Sequence, residues 1–258
     1  MEGADQGGVT QQILQSMATG TAKAYKNYTE EYIAFRGGRP DSEHVVLEWL
    51  ATLKPRYKAS SLWARLSLVK KYLRVEQKFD LGCAASVRGF LRCTGSSETP
   101  RHAAAFQHSE VFRYIAEAPE GNDYLVSKLV VGFGVFGGMR AGELTSLRRN
   151  DVRETDVGLQ VTIRRSKTDQ AGAGYTFIVP SGEELGEKVI ALYNRYVASM
   201  PNRTEDGRLF LQYRGEKFTR QPIGKTGISA IPRMVAEWLG APEPEAYSCD
   251  TPGRLRRV

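Results

Sequence analysis

The chain is poor in the residues that build metal and disulfide chemistry. It has three cysteines in 258 residues, Cys83, Cys93 and Cys249, scattered with neither metal-site spacing nor a disulfide framework. Its three histidines, His44, His102 and His108, do not gather with them. No metal site is therefore expected, and a reducing compartment is the natural setting. Long apolar runs are lacking too. The longest, LVVGFGVFGGM at 129–139, is too short for a bilayer and is interrupted by glycine. The opening MEGADQGGVTQQ is polar and acidic, unlike a secretory signal. No serine stands with a histidine and an acid in a hydrolase context, and neither internal repeats nor low-complexity tracts occur.

What the chain does have is an ordinary globular composition, 41% hydrophobic and 25% charged, with length enough for two domains. Its net charge of +7 suits a polyanionic partner, because lysine and arginine neutralise phosphates and release counterions.

Along the chain, TAKAYKNYTEEYIAFR has the spacing of an amphipathic helix, with Thr21 as cap and GGRP as stop. DSEHVVLEWLATL takes its cap from Asp41 or Ser42. In SSLWARLSLVKKYLRVEQ, the residues Leu62, Leu66, Val69 and Leu73 make one apolar stripe. Opposite it run Ser60, Ala64, Ser67, Lys71 and Arg74, flanked by Arg65 and Lys70. Small residues let a helix approach a DNA backbone and cations then meet phosphates; the same stripe also reads as a solvated face. AASVRGFLRC is a further helix, and TGSSETPRHAAAFQ (94–107) has the composition of a linker. HSEVFRYIAEAP follows as a helix capped by Ser109, and DYLVSKLVVGFGVF, apolar on every side, as a buried one. Leu159, Val161 and Ile163 alternate onto one face of a strand, and Tyr175 to Val179 returns after a glycine-rich turn, giving a hairpin. A helix over GEELGEKVIALYNRYVASM, a short strand RLFLQY and a helix over GISAIPRMVAEWLG complete the pattern.

Two phosphate motifs fail. Gly132, Gly134 and Gly137 fit G-x-G-x-x-G but lie inside an apolar helix rather than after a strand. Gly224–Lys225–Thr226 lacks the P-loop glycine, for which Thr219 stands. More telling is VFGGMRAGELTSLRRNDV (135–152). The glycine pair should end the buried helix and RAGELTSLRRNDV should begin another, placing Arg140 at a helix start with Glu143 one turn on. Such an arginine offers a bidentate fork to a phosphate, or simply closes an ion pair. Lys167, 27 residues later, shares the pleat parity of core-facing Ile163 at the end of the first hairpin strand, an unusual place for a lysine unless it points into a site.

In these residues the sequence resembles the tyrosine recombinases (the phage-integrase superfamily), and more closely the Crypton-type recombinases of eukaryotic transposons. The resemblance is carried by TAKAYKNYTEEYIAF, YKASSLWARLSLVKKYL, FGVFGGMRAGELTSLRRNDV, IRRSKTD and IGKTGISAIPRMVAEWLGAPEPEAYS. It implies a mainly α fold with a small β-hairpin or sheet (α+β), a helical core-binding (SAM-like) domain and an integrase-type catalytic domain closing on duplex DNA. It also implies a nucleophilic tyrosine that forms a 3′-phosphotyrosyl bond, arginines and a histidine that stabilise the transition state, and a lysine that protonates the leaving 5′-oxygen. By motif position Arg140 matches the first arginine, Glu143 the acid that orients it, and Lys167 the lysine. No cofactor, ATP or obligatory metal is implied.

The sequence then departs from the pattern. Where the family continues with His-x-x-Arg and a tyrosine, this chain reads CDTPGRLRRV after EAYS. No histidine follows His108 and no tyrosine follows Tyr247, which itself precedes the motif. Asp250 stands near the histidine position, and Arg254 alone imitates the second arginine. The expectation is thus a loose leader (1–18), a core-binding domain (19–93), a linker (94–107), a truncated catalytic-like domain (108–248) and an atypical tail (249–258), with Arg140 and Lys167 vestigial and no nucleophile. Expected DNA contacts are Ser60, Arg65, Ser67, Lys70, Lys71, Arg74 and Lys225. The expected partner is double-stranded DNA, with self-association or a full-length recombinase beside it, and the DNA role implies a nuclear location. Completion in trans by such a recombinase is one alternative, and a helical protein-interaction module without a DNA role is another.

Overall fold

The computed structural model describes residues 15, 17–82, 84–97, 104–164, 174–201 and 207–248, in two compact units, Met1–Pro100 and Arg101–Val258. The first unit is helical: α1 (Thr19–Arg36), α2 (Glu43–Leu53), α3 (Ala59–Val75) and α4 (Ala85–Ser96). Helix α1 starts at Thr19 after Ala18, so Thr21 lies inside it and is not its cap. It buries only Tyr25, Thr29 and Tyr32, three and four residues apart, which suits a helix packed along one narrow stripe. Of the two cap candidates for α2, Ser42 takes the role, its hydroxyl accepting from the Val45 N–H at 3.2 Å, a cap that contributes about 1 kcal/mol. Asp41 is held instead by the Tyr32 hydroxyl at 2.8 Å and the Arg36 guanidinium at 2.6 Å, which pins the α1–α2 turn. Leu62, Leu66, Val69 and Leu73 of α3 face inward onto Trp49, Leu50, Val87 and Leu91, as their spacing requires.

The second unit opens with α5 (His108–Glu117). Its cap is Gln107 rather than Ser109, with the Glu110 carboxylate accepting from the Gln107 N–H at 2.7 Å. Helix α6 (Asn122–Gly137) is buried without interruption from Leu125 to Phe133. Its Lys128 is kept inside by donating to the Ala118 carbonyl at 2.7 Å, and burial lowers the affinity of that amine for its proton. The glycines of α6 serve packing. A Cβ on Gly132 would stand 2.6 Å from Val189, and one on Gly137 2.3 Å from the Phe177 ring. The helix ends at Gly138, whose φ of 58° an L side chain would resist.

Helix α7 then runs only from Ala141 to Ser146, shorter than the stretch to Val152 that its sequence suggests. A 3-10 turn at Arg149–Asp151 leads into strand β1 (Val152–Thr155), which pairs antiparallel with β2 (Gly158–Ile163), and β2 with β3 (Tyr175–Pro180). Leu159, Val161 and Ile163 point into the core. Helix α8 (Glu184–Ser199) packs on α6, and its Tyr196 hydroxyl donates to the Leu209 carbonyl at 2.7 Å and accepts from the Leu211 N–H at 2.8 Å. RLFLQY contributes a strand only from Leu211: β4 (Leu211–Arg214) pairs with β5 (Lys217–Pro222) across Gly215 and Glu216, both at positive φ. Helix α9 (Lys225–Leu239) packs against α7. The end of the expected linker is tied down within this unit, with the Ala104 N–H on the Ala246 carbonyl at 2.9 Å and the Phe106 ring stacked on Tyr247 at 4.5 Å. The molecule is mainly helical with small antiparallel sheets. No helix among the described residues is long and apolar enough to cross a membrane.

Candidate functional site

Arg140 sits in the break between α6 and α7, just after Gly138 turns the chain and Met139 is driven into the core. Its backbone is extended, and its N–H donates to Glu143 Oε2 at 2.9 Å, closing the first turn of α7. Its guanidinium Nη1 lies 3.3 Å from Glu143 Oε1. The carboxylate side chain is 6% exposed and the arginine side chain 30%, so the acid is the buried support and the cation the partly exposed group.

A third member comes from the hairpin. The Tyr175 hydroxyl donates to the Gly137 carbonyl at 3.1 Å and lies 3.4 Å from Glu143 Oε2. Burial first, then the Glu143 carboxylate, push its pKa up to about 12, with Arg140 opposing, so it remains a neutral donor. The sequence places Tyr175 only as the start of a returning strand. Its pairing opposite Ile163, at the end of β2, is the signal that would have put it here.

A second node lies nearby in the chain. Buried Asp151 accepts the Arg148 N–H at 2.9 Å and Arg164 Nε at 2.5 Å. Arg164, at the end of β2, keeps most of its side chain exposed, and neither it nor Asp151 stands out from spacing alone. Lys167, Cys249, Asp250 and Arg254 lie outside the described residues. Lys225 is the first residue of α9 and is exposed. Among the described residues no three of His, Cys, Asp or Glu gather as a metal would require.

In the first unit, Ser60, Ser67 and Arg74 are exposed on α3, and Lys70 and Lys71 are half-buried. The Lys70 ammonium donates to the Gly82 carbonyl at 2.7 Å. Arg65 is not part of this face. Its guanidinium lies 3.7 Å from the centre of the Tyr57 ring and 4.4 Å from that of Tyr28, with Nε 3.3 Å from Glu31. The reason is geometric: each residue turns about 100° round a helix, so Arg65, next to Ala64 in sequence, is carried towards the buried side between Val69 and Tyr72. The residue missed on the exposed face is Trp63, which lies between Ser60 and Ser67 at helical spacing.

No protein-family model and no curated protein sequence matches this chain. A helical unit followed by α6, the Arg140 break, a three-stranded antiparallel sheet and α8–α9 is an integrase-like fold, similar to that of solved integrases and site-specific recombinases. Lambda integrase (residues 75–356) bound to DNA aligns with a TM-score of 0.56 at 13% identity over 96% of this chain and 81% of that chain. A lambda integrase (75–356) dimer bound to a COC′ core site gives 0.56 at 16% identity, over 98% and 82%. XerH site-specific recombinase on its palindromic difH substrate gives 0.55 at 14%, over 85% and 61%. At these identities the likeness establishes the fold.

Proposed function

We propose that the protein binds duplex DNA through this recombinase fold, and that Arg140 holds a backbone phosphate. The observation that carries the reading is the inverted ion pair: Glu143 is buried, positioned from both ends, and leaves its arginine partly exposed. A guanidinium fixed in this way presents its donors as a planar fork, the geometry that matches two phosphate oxygens. Lys167, which matches the family's hairpin lysine by motif position, is assigned to the same phosphate. Ser60, Ser67, Lys70, Lys71 and Arg74 on α3, with Lys225 on α9, are assigned to DNA contacts.

Within these 258 residues no histidine and no nucleophilic tyrosine follows the EAYS block. Phosphate binding is assigned to these 258 residues and a strand-cleaving role to none of them. Kinship with Crypton elements and a nuclear location belong to the same proposal, as does self-association on DNA, which the dimeric lambda integrase complex supports. The test is a nicked suicide duplex read on a denaturing gel, beside gel-shift lanes over a salt series. Retarded duplex that fades with salt, with no covalent adduct, is expected. An adduct would overturn the assignment, and an adduct formed only with an added full-length recombinase would establish completion in trans.

A further inference from the structure

We infer that Trp63 is a base-reading residue that takes the 5-methyl group of a thymine in the major groove, so that α3 supplies sequence preference as well as charge. The inference rests on the duplex-binding reading. Helix α3 spans 17 residues without one aspartate or glutamate, and α4 beside it has none either. The nearest acids in sequence are engaged: Glu76 accepts the Tyr25 hydroxyl at 2.7 Å, and Asp80 the Gly82 N–H at 3.0 Å. The exposed side of α3 is thus a cationic face formed by Lys70, Lys71 and Arg74, with Arg88 of α4 beyond it.

On the same side of the helix, about two turns before Lys70, stands an indole with 38% of its surface exposed. Ser60 lies three residues before it and Ser67 four residues after, both on the same side of the helix and both exposed. Trp63 also walls a cavity of about 190 Å³, with Ser67 and Lys70 beside it and Gly82 and Arg88 opposite. A large apolar ring set among cations and small hydroxyls needs a partner that is anionic at its edges and apolar at one point. Duplex DNA, on the reading above, supplies one. The major groove offers both: phosphates at its rims and, at each A·T pair, the thymine methyl beside hydrogen-bonding base edges. Serine hydroxyls pair with any base, so they add affinity while Trp63 discriminates.

The experiment uses the full chain. A preferred duplex is selected from a randomised pool, and each thymine in it is then replaced singly by deoxyuracil, which removes only the methyl group. Wild type should lose about fourfold in affinity at one position, the factor that burying one methyl supplies. Trp63→Ala should bind more weakly and be indifferent to that replacement, and Trp63→Phe should keep part of the response. Indifference of the wild type to every replacement, or the absence of any preferred sequence, overturns the inference while salt-sensitive duplex binding stands. Absence of duplex binding altogether overturns the underlying reading as well.

Discussion

Arg65 and Arg140 each stand 3.3 Å from a glutamate, yet the two pairs are built inside out. In the first unit the arginine is the buried partner, 8% exposed, while Glu31 keeps 31% of its side chain in solvent. In the second the glutamate is the buried partner and the arginine keeps 30% of its side chain exposed. The aromatic neighbours make the difference. Tyr28 and Tyr57 lay their rings against the Arg65 guanidinium, so its charge is spent within the unit. Tyr175 instead brings its hydroxyl to the carboxylate side of its pair. One pair is therefore a clasp between α1 and α3, and the other is a mount for a charge.

Breaking the clasp should have the largest effect on stability. Arg65→Ala strips both rings and leaves Glu31 alone, and should cost the first unit about 2–4 kcal/mol in urea unfolding. Arg140→Ala should cost less than about 1 kcal/mol of stability, because Glu143 retains the backbone N–H and the tyrosine hydroxyl, yet it should weaken duplex binding about tenfold in gel-shift titrations. Tyr175→Phe removes the donor to Gly137 and Glu143 and should cost about 1 kcal/mol. Because the folded state holds the Tyr175 proton more tightly, its contribution is full below pH 10 and lost as pH rises towards 12. Alkaline unfolding curves of Tyr175→Phe should accordingly be flatter than those of wild type. The smallest effect belongs to Lys71→Ala, which should lower the slope of log affinity against log salt by about one and leave stability unchanged.

Much of this contrast is legible in the chain and part of it is not. The apolar stripe of α3, the hairpin alternation and the Arg140–Glu143 spacing are local, and local periodicity reports them directly. The fate of Arg65 depends on Tyr28 and Tyr57, which reach it from α1 and from the turn before α3, so only packing reveals it. Strand β1 has only four residues, and β5 buries only Phe218, so neither shows the apolar alternation that would distinguish it from a turn. Helix α7 stops at six residues because Asp151 captures the Arg148 N–H and Arg164, a tertiary arrangement that no helical propensity announces.

The most direct measurement is the salt dependence of duplex affinity for wild type, Arg140→Ala and Arg140→Lys. If Arg140 holds a phosphate as a fork, the alanine variant should lose both affinity and about one unit of salt slope, and the lysine variant should keep the slope but lose affinity. Identical affinity and slope in all three would contradict the account.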